Sequence, residues 1–495
     1  RHPHTTLVQA NIAQENPGKE IMSRAMVWFR NDLRVHDNEA LATALKDAKE
    51  VLLLYCLDPR QFRELDLGFR KTGVHRARFL LESLEDLHES CRQAGGHLMV
   101  RQGYPEDIIP ELAGQYDIGQ VHVQKEVTDE EIQVEKAVEN ALAGTDCGMH
   151  YYHGLTMYHP EDLPFDPADT PKAFKTFRHQ GPNKARVRNE FPAPQKISCV
   201  PADDPFDLPT LSELDYHDEL PEVARYPGGE TAGLDRLQHY LFGTELLTRY
   251  KWTRNQSLGL DYSSKFSPWL AFGCLSPRRV YYAVKTYEED VKKNISTYWL
   301  IFEMLWRDYF KFLGMKHGNA VFKKAGIFNK EVEWQYDRAS FKHWCDGTTG
   351  IPFVDAHMTE LNETGFMSNR GRVNVSTFLS RDLAIDWRWG AAYFESLLVD
   401  YDVTSNWLNW YYQAVVWRYT HVLWQSVKYD PKGEYIKHWL PELDKLPEGR
   451  IPTAFLLTEG EQDTYGFRLG LDYPEPVLIP DKWSRMIGRM QKEDE

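Results

Sequence analysis

The sequence predicts an α/β domain built on a doubly wound parallel sheet, followed across a long linker by an all-α domain. Three observations predict it. Through the first third of the chain, short apolar runs alternate with amphipathic stretches, and strand alternating with helix means parallel strands joined by crossover helices. Beyond Glu230 the strand signal stops and apolar residues recur at helical spacing. Between the two lies a stretch rich in Pro, Asp and Gly, and a chain of 495 residues is too long for one core.

Taken in order, residues 1–22 are polar, lack the apolar core of a secretory signal and are expected to fray as an unstructured extension. Residues 23–164 form the predicted α/β domain. Its strands are the runs Ala25–Phe29, Val51–Tyr55, His97–Arg101, Gln120–Val123 and Met149–His153. Helical periodicity fills the gaps, over Asn38–Lys46, Val74–Gln93, Pro105–Gln115 and Glu130–Ala143. Such sheets bind ligands at the carboxyl ends of their strands. No GxGxxG follows the first strand, which argues against a conventional dinucleotide site there. Residues 165–230 are the linker; within it eight carboxylates from Asp203 to Glu222 stand among prolines without Lys or Arg. The helical domain spans 231–445, with helices over Thr231–Tyr250, Pro277–Lys293, Ser296–Met315, Asp355–Asn362, Asn374–Leu383 and Arg388–Leu398. Residues 446–495 form a C-terminal extension.

Composition narrows the class. With 42% hydrophobic and 26% charged residues the chain is ordinary globular material, and no apolar run approaches the roughly 20 residues of a membrane helix. The six cysteines are scattered, with no CxxC pair and no histidine at ligand spacing, which argues against a disulfide framework or a metal centre. The net charge of −15 makes the chain a poor general binder of polyanions, so any nucleic-acid footprint must be local. Lys172–Arg188 and Lys311–Lys330, both free of acids, qualify. The 15 tryptophans are unusual and point to a use for indoles.

Chemistry gathers in a few places. In WLIFEMLWRDYF, Trp299 to Phe310, the residues Glu303, Trp306 and Arg307 fall at i, i+3 and i+4 and share one helix face; an amphipathic helix with an ion pair and a core indole gives the same pattern. In DYSSKFSPWLAFG, Asp261 to Gly273, three serines and a lysine precede an apolar helix, an arrangement suited to a phosphate, although serine before a helix is more often a cap. GFMSNRGR, Gly365 to Arg372, and DYDVTSN, Asp400 to Asn406, are polar loops among apolar helices.

The motifs WFRNDLRVHDN (Trp28–Asn38), YCLDPR (Tyr55–Arg60), KTG (Lys71–Gly73), DLPF (Asp162–Phe165), KFSPWLAFG, WRDYF, TGFMSNRGR, DWRWGA (Asp386–Ala391) and YDPKGEYIKHWLPEL (Tyr429–Leu443) occur in that order. In this set the sequence closely resembles the photolyase and cryptochrome family, and within it the DASH cryptochromes, from about Met22 to Leu443. The resemblance implies a flavodoxin-like α/β domain and a C-terminal helical domain that binds FAD. By position it implies that Tyr250 and Ser263, Ser264, Lys265, Phe266 and Ser267 grip the FAD phosphates, and that Arg307, Arg372, Asp400 and Asp402 stand around the flavin. Asn406 matches the position facing the reactive ring nitrogen, where an amide can either accept or donate. Glu303, Trp306, Asn369 and Tyr412 match the positions that receive a flipped-out pyrimidine dimer. Asn369 and Val373 stand where (6-4) photolyases carry histidines, which disfavours that substrate. Trp410, Trp387 and Trp334 match the electron relay from flavin to surface, and Glu126 the carboxylate that bonds a 5,10-methenyltetrahydrofolate antenna.

The implied activity is blue-light repair of cyclobutane pyrimidine dimers in single-stranded or looped DNA, by a carbon–carbon lyase acting as a monomer without membrane attachment. The alternatives are a non-repairing blue-light photoreceptor and a flavoprotein that does neither. An intracellular location follows: cytoplasmic in a prokaryote, chloroplast, mitochondrion or nucleus in a eukaryote. One stretch departs from the family. Over 411–428, where a Gly-rich turn and an Asn-Asp-Pro-Arg stretch are expected, the chain reads YYQAVVWRYTHVLWQSVK. It brings bulky Trp417 and Trp424 to a region near the flavin and the dimer cavity in the family, which predicts local repacking.

Overall fold

The structure is a computed structural model that describes residues 22–493 apart from residues 183, 203 and 223. The extension before Met22 lies outside the described residues. Five parallel strands, β1 (Met22–Phe29), β2 (Ala48–Leu57), β3 (Leu98–Gln102), β4 (Gln120–Gln124) and β5 (Gly148–Tyr152), form one sheet in the order β3-β2-β1-β4-β5. The crossovers are α1 (Glu39–Asp47), α2 (Val74–Gln93), α3 (Pro105–Tyr116) and α4 (Asp129–Leu142). All nine elements lie where periodicity places them, within a few residues.

Alternation along β1 explains how the sheet is covered. Met26 and Trp28 point to one face, where they join Ile109 and Leu112 of α3 and Val138 of α4. Ala25, Val27 and Phe29 point to the other, among Leu41 of α1 and Phe79 of α2. That second core does not stop at the domain edge: it runs on through Trp269 and Phe272 into the helical domain. At the junction Gly273 adopts φ +68°, and a Cβ there would lie 1.9 Å from the carbonyl oxygen of Asn31, so glycine alone permits this approach. The buried pair Arg278–Asp37, at 2.7 Å, locks the same contact.

The linker is mostly irregular, as its composition predicts, but it is strapped down. It carries α5 (Phe174–Gln180). Val51 of β2 exchanges backbone hydrogen bonds with Ser198 and Val200, and Phe206 stacks on His88 at 3.7 Å.

The helical domain contains α6 (Glu230–Gln238), α7 (Tyr250–Thr253), α8 (Ser267–Ala271), α9 (Pro277–Asp290), α10 (Ile295–His317), α11 (Arg338–Asp346), α12 (Pro352–Thr364), α13 (Asn369–Thr377), α14 (Trp387–Leu397), α15 (Val403–Tyr411), α16 (Val422–Tyr429), α17 (Glu434–Trp439), α18 (Glu459–Tyr465) and α19 (Ser484–Glu493). The expected helix over Thr231–Tyr250 is broken. A π-helical turn at His239–Gly243 and the left-handed residue Glu245, φ +54°, end it, because Gly243 and Thr244 do not sustain the helix. The expected Asn374–Leu383 helix starts earlier, at Asn369 behind its Ser368 cap, and ends in a second π-helical turn, Phe378–Asp382. Helices α11, α15 and α16, unforeseen, are short and interrupted by polar caps.

Residues 446–493, which include α18 and α19, pack against the rest of this domain. Trp483 is fully buried, stacks near His421 at 5.8 Å and donates Nε1–H to the Tyr419 hydroxyl at 2.8 Å. Trp483→Ala is expected to lower unfolding free energy by about 3–5 kcal/mol, read by urea denaturation. A loss below about 1 kcal/mol would show that the segment contributes little to the fold.

Candidate functional site

The site begins with α10, held at its start by a reciprocal capping box between Asn294 and Thr297. Helical spacing turns Glu303, Trp306 and Arg307 toward one large cavity of about 560 Å³, inside the range of small-molecule and cofactor sites. The expected local pair between Glu303 and Arg307 does not form. Glu303 pairs with Arg254 at 2.8 Å and accepts Trp299 Nε1–H at 3.0 Å. Burial pushes its carboxyl above the ordinary range, against the pull of Arg254. Trp306 is braced by Phe174 of the linker helix, stacked at 3.7 Å and 11°.

Opposite runs the loop before α8. Arg236 holds it, donating to the carbonyls of Ser263 and Ser264 at 3.0 and 2.8 Å and pairing with Asp261 at 2.7 Å. Ser263, Ser264, Lys265, Phe266 and Ser267 line the cavity, with Tyr250 beside them. Lys265 sits at φ +57° and donates to Ser263 Oγ at 2.9 Å; burial drives its amine well below the usual range, so an anion there would be its natural partner. The helix that follows is only five residues long. Pro268 sits in its first turn, where a missing N–H costs nothing, and the helix ends at Ala271, just before Gly273 at φ +68°.

The third wall is the turn between α14 and α15. Arg372 donates to Asp400 Oδ2 at 2.8 Å, while the buried Oδ1 of Asp400 has no partner among the described residues. Asp402 caps α15, accepting Ser405 N–H at 2.9 Å, and pairs with Lys311 at 2.6 Å and more distantly with Arg307 at 3.8 Å. Burial alone would raise the Asp402 carboxyl, but Lys311 and Arg307 outweigh it and hold it well below the usual range. One turn along α15, Asn406 donates its amide to the Ala391 carbonyl at 3.0 Å. That bond orients the amide and uses one of its two N–H groups, so the second N–H and the oxygen are both left to donate or accept.

Asn369, Val373 and Trp410 also line the cavity. Tyr412 does not. It is packed edge-on by Phe310 at 5.5 Å and by Trp417 at 5.4 Å, and Trp417 lines the cavity in its place, 6.3 Å from Trp306. The cause is local: the altered segment opens with a π-helical turn, Tyr412–Val416, that swings Trp417 inward. The remaining indoles lie behind Trp410. Trp387 is fully buried, and Trp334, expected at the surface, is only 6% exposed, because the strand-like bridge of Gln335 with Ile385 folds over it.

A smaller cavity, about 140 Å³, lies between the carboxyl ends of the strands and the helical domain. Glu126 lines it, buried, with its carboxyl pushed up to about 7 by desolvation, and accepts from Asn31 Nδ2 at 3.2 Å. Lys311 lines it too, and Asp402 belongs to both cavities. Sequence reading missed Lys311, Arg254, Trp299 and Phe174. Lys311 alone left a trace: it stands four residues after Arg307, on the face already singled out.

The donor set fits a flavin dinucleotide. It offers hydroxyls and a buried amine at one end, and at the other an unpaired carboxylate oxygen, a fixed amide oxygen and a guanidinium. A family model described as "FAD binding domain of DNA photolyase" matches residues 299–492, and one described as "DNA photolyase" matches residues 25–195. The chain is 49% identical over 462 residues to a Cryptochrome DASH of Gloeobacter violaceus, 92% of each protein being covered. The chain belongs to the photolyase and cryptochrome family. Among solved structures, a Synechocystis cryptochrome matches with TM-score 0.89 and 45% identity, covering 96% of this chain and 100% of that one. A bacterial class III photolyase from Agrobacterium tumefaciens matches with TM-score 0.81 and 27% identity, covering 98% and 99%. Among the described residues no group of His, Cys, Asp and Glu is placed to hold a metal, and no helix is long and apolar enough to cross a membrane.

The Asp402–Lys311 pair is buried on both sides, so Lys311→Met strands a carboxylate and is expected to cost about 3–5 kcal/mol at neutral pH. The pH dependence reverses with it. In the wild type, ionised Asp402 contributes above about pH 4, and the contribution goes only in stronger acid, as pH falls through the depressed value. In the variant the carboxyl is raised, so stability falls as pH rises through that value. Urea unfolding from pH 4 to 8 reads both; equal, parallel curves would contradict the assignment.

Proposed function

We propose that this chain repairs cyclobutane pyrimidine dimers under blue light, acting on single-stranded or looped DNA with FAD as cofactor. The supporting observation is that one cavity joins two sets of groups: Arg372–Asp400, Asn406 and the Ser263–Ser267 loop on one side, and Glu303, Trp306 and Asn369 on the other. When bound, reduced FAD supplies on excitation the electron that opens the cyclobutane ring, and takes it back.

The chain's own residues position and protect. Lys265 and the serine hydroxyls hold phosphate oxygens; a phosphate there favours the charged amine. Asp400 Oδ1 and Asn406 Oδ1 accept from ring N–H groups, and Arg372 pairs with the other oxygen of Asp400 beside them. Trp306, braced by Phe174, gives the extruded bases a flat apolar face, and base–aromatic stacking contributes about 1–3 kcal/mol per base. Glu303, its carboxyl pushed above the ordinary range by burial, bonds the polar edge of the bases, with Asn369 at the rim. Trp410, Trp387 and Trp334 form the relay that lets the cofactor be photoreduced, and Glu126, able to donate as well as accept near neutrality, is the anchor for a methenyltetrahydrofolate antenna.

Light-dependent repair of a defined thymine dimer tests the reading. Wild type is expected to repair the dimer faster in a single strand than in a duplex. Glu303→Gln is expected to lose at least about ten-fold, the scale of one hydrogen bond to a charged group, at normal FAD content. Unchanged repair would remove Glu303 from the site. Trp387→Phe is expected to slow photoreduction with cofactor content unaltered, and an unaltered rate would exclude the relay.

A further inference from the structure

The roles assigned so far leave aside two indoles that stand open near the cavity mouth. Trp252 in α7 is 63% exposed and Trp424 in α16 is 46% exposed. Each carries a cation against its ring: Lys251 Nζ lies 4.9 Å from the Trp252 centroid and Lys428 Nζ 4.5 Å from that of Trp424. Lys428 is one helical turn beyond Trp424, so the two share a face of α16. Arg370, next to Asn369, ties both elements to the mouth. It donates Nη1–H to Gln425 Oε1 and Nη2–H to Asn255 Oδ1, each at 2.9 Å, and lies 4.5 Å from the Tyr429 centroid. On the α7 side the pattern continues inward, with Lys251 and Arg254 at 4.7 and 5.5 Å from Trp299, a lining residue.

A single exposed tryptophan is ordinary. Two, each with a lysine against its ring and each near a residue held by Arg370, Asn255 three positions beyond Trp252 and Gln425 next to Trp424, make a band in which indoles and positive charges alternate. The charge is the more telling because the chain as a whole carries −15. Unpaired bases offer the π-faces and phosphates that such a band takes, whereas a duplex keeps its base faces stacked inside. An apolar protein partner has no use for a cation at every ring.

We propose that Trp252 and Trp424 are a stacking platform for the unpaired nucleotides flanking the extruded bases, with Lys251 and Lys428 taking the adjoining phosphates. This deepens the repair reading and rests on it. It names the surface by which this chain engages single-stranded DNA, and places half of that surface in the segment that departs from the family.

The test is fluorescence anisotropy of a labelled, undamaged oligothymidine against the FAD-loaded protein. Trp424→Ala and Trp252→Ala are each expected to weaken binding about five- to ten-fold, and the double variant more. Trp424→Phe is expected to recover most of the loss, because it keeps a ring to stack on. Lys428→Ala is expected to flatten the dependence of log affinity on log salt, which the tryptophan variants leave alone. Both indoles are open to solvent, so cofactor content reports that each variant is folded. A folded double variant that binds the strand like wild type would overturn the platform while leaving dimer repair standing. Wild-type protein that binds no single strand would overturn the single-strand reading and the platform together.

Discussion

Two carboxylates taken out of water within three residues of each other decide the shape of this molecule's centre. Asp400 and Asp402 lie on the turn between α14 and α15, both less than a tenth exposed. A buried charge is tolerable only when it is paired and hydrogen-bonded. Each therefore commits a basic residue from another helix: Arg372 of α13 for Asp400, Lys311 of α10 for Asp402. Those two pairs draw α10, α13 and α15 around one space.

The same turn connects the two domains' business. Asp402 faces the large cavity on one side and the smaller one beneath the strand ends on the other, and Lys311 lines the smaller one together with Glu126. The carboxyl ends of the strands, where a parallel sheet places its ligands, thus abut the floor of the helical site with one ion pair between them. Gly273 permits the approach that makes this possible.

Much of this was legible beforehand. Alternation of strand and helix in the first domain gives every strand; β1 and β2 stand out as buried apolar runs, while β5, GMHYY, lies half-exposed at the sheet edge and is placed by its position after α4. The grouping of Glu303, Trp306 and Arg307 was legible from spacing alone. What spacing did not carry was pairing. Glu303 chose Arg254, far away in sequence, over Arg307, since Arg307 was already engaged by Asp402 and by the carbonyl of Leu270. Phase breaks were equally hidden: the π-helical turn at Tyr412–Val416 shifts the face of every later residue, which is why Tyr412 turns away from the cavity and Trp417 enters it. The short α8 hid for another reason, that a run of apolar residues does not reveal whether they continue a helix or bend toward a neighbouring domain.

These paired charges enclose a space whose donor set fits FAD. The absorption spectrum of the purified chain, before and after incubation with FAD and removal of the excess, tests it most directly. Flavin bands that persist through gel filtration, close to one cofactor per chain, are the predicted result. A folded protein that remains colourless and releases all of the supplied FAD would contradict it.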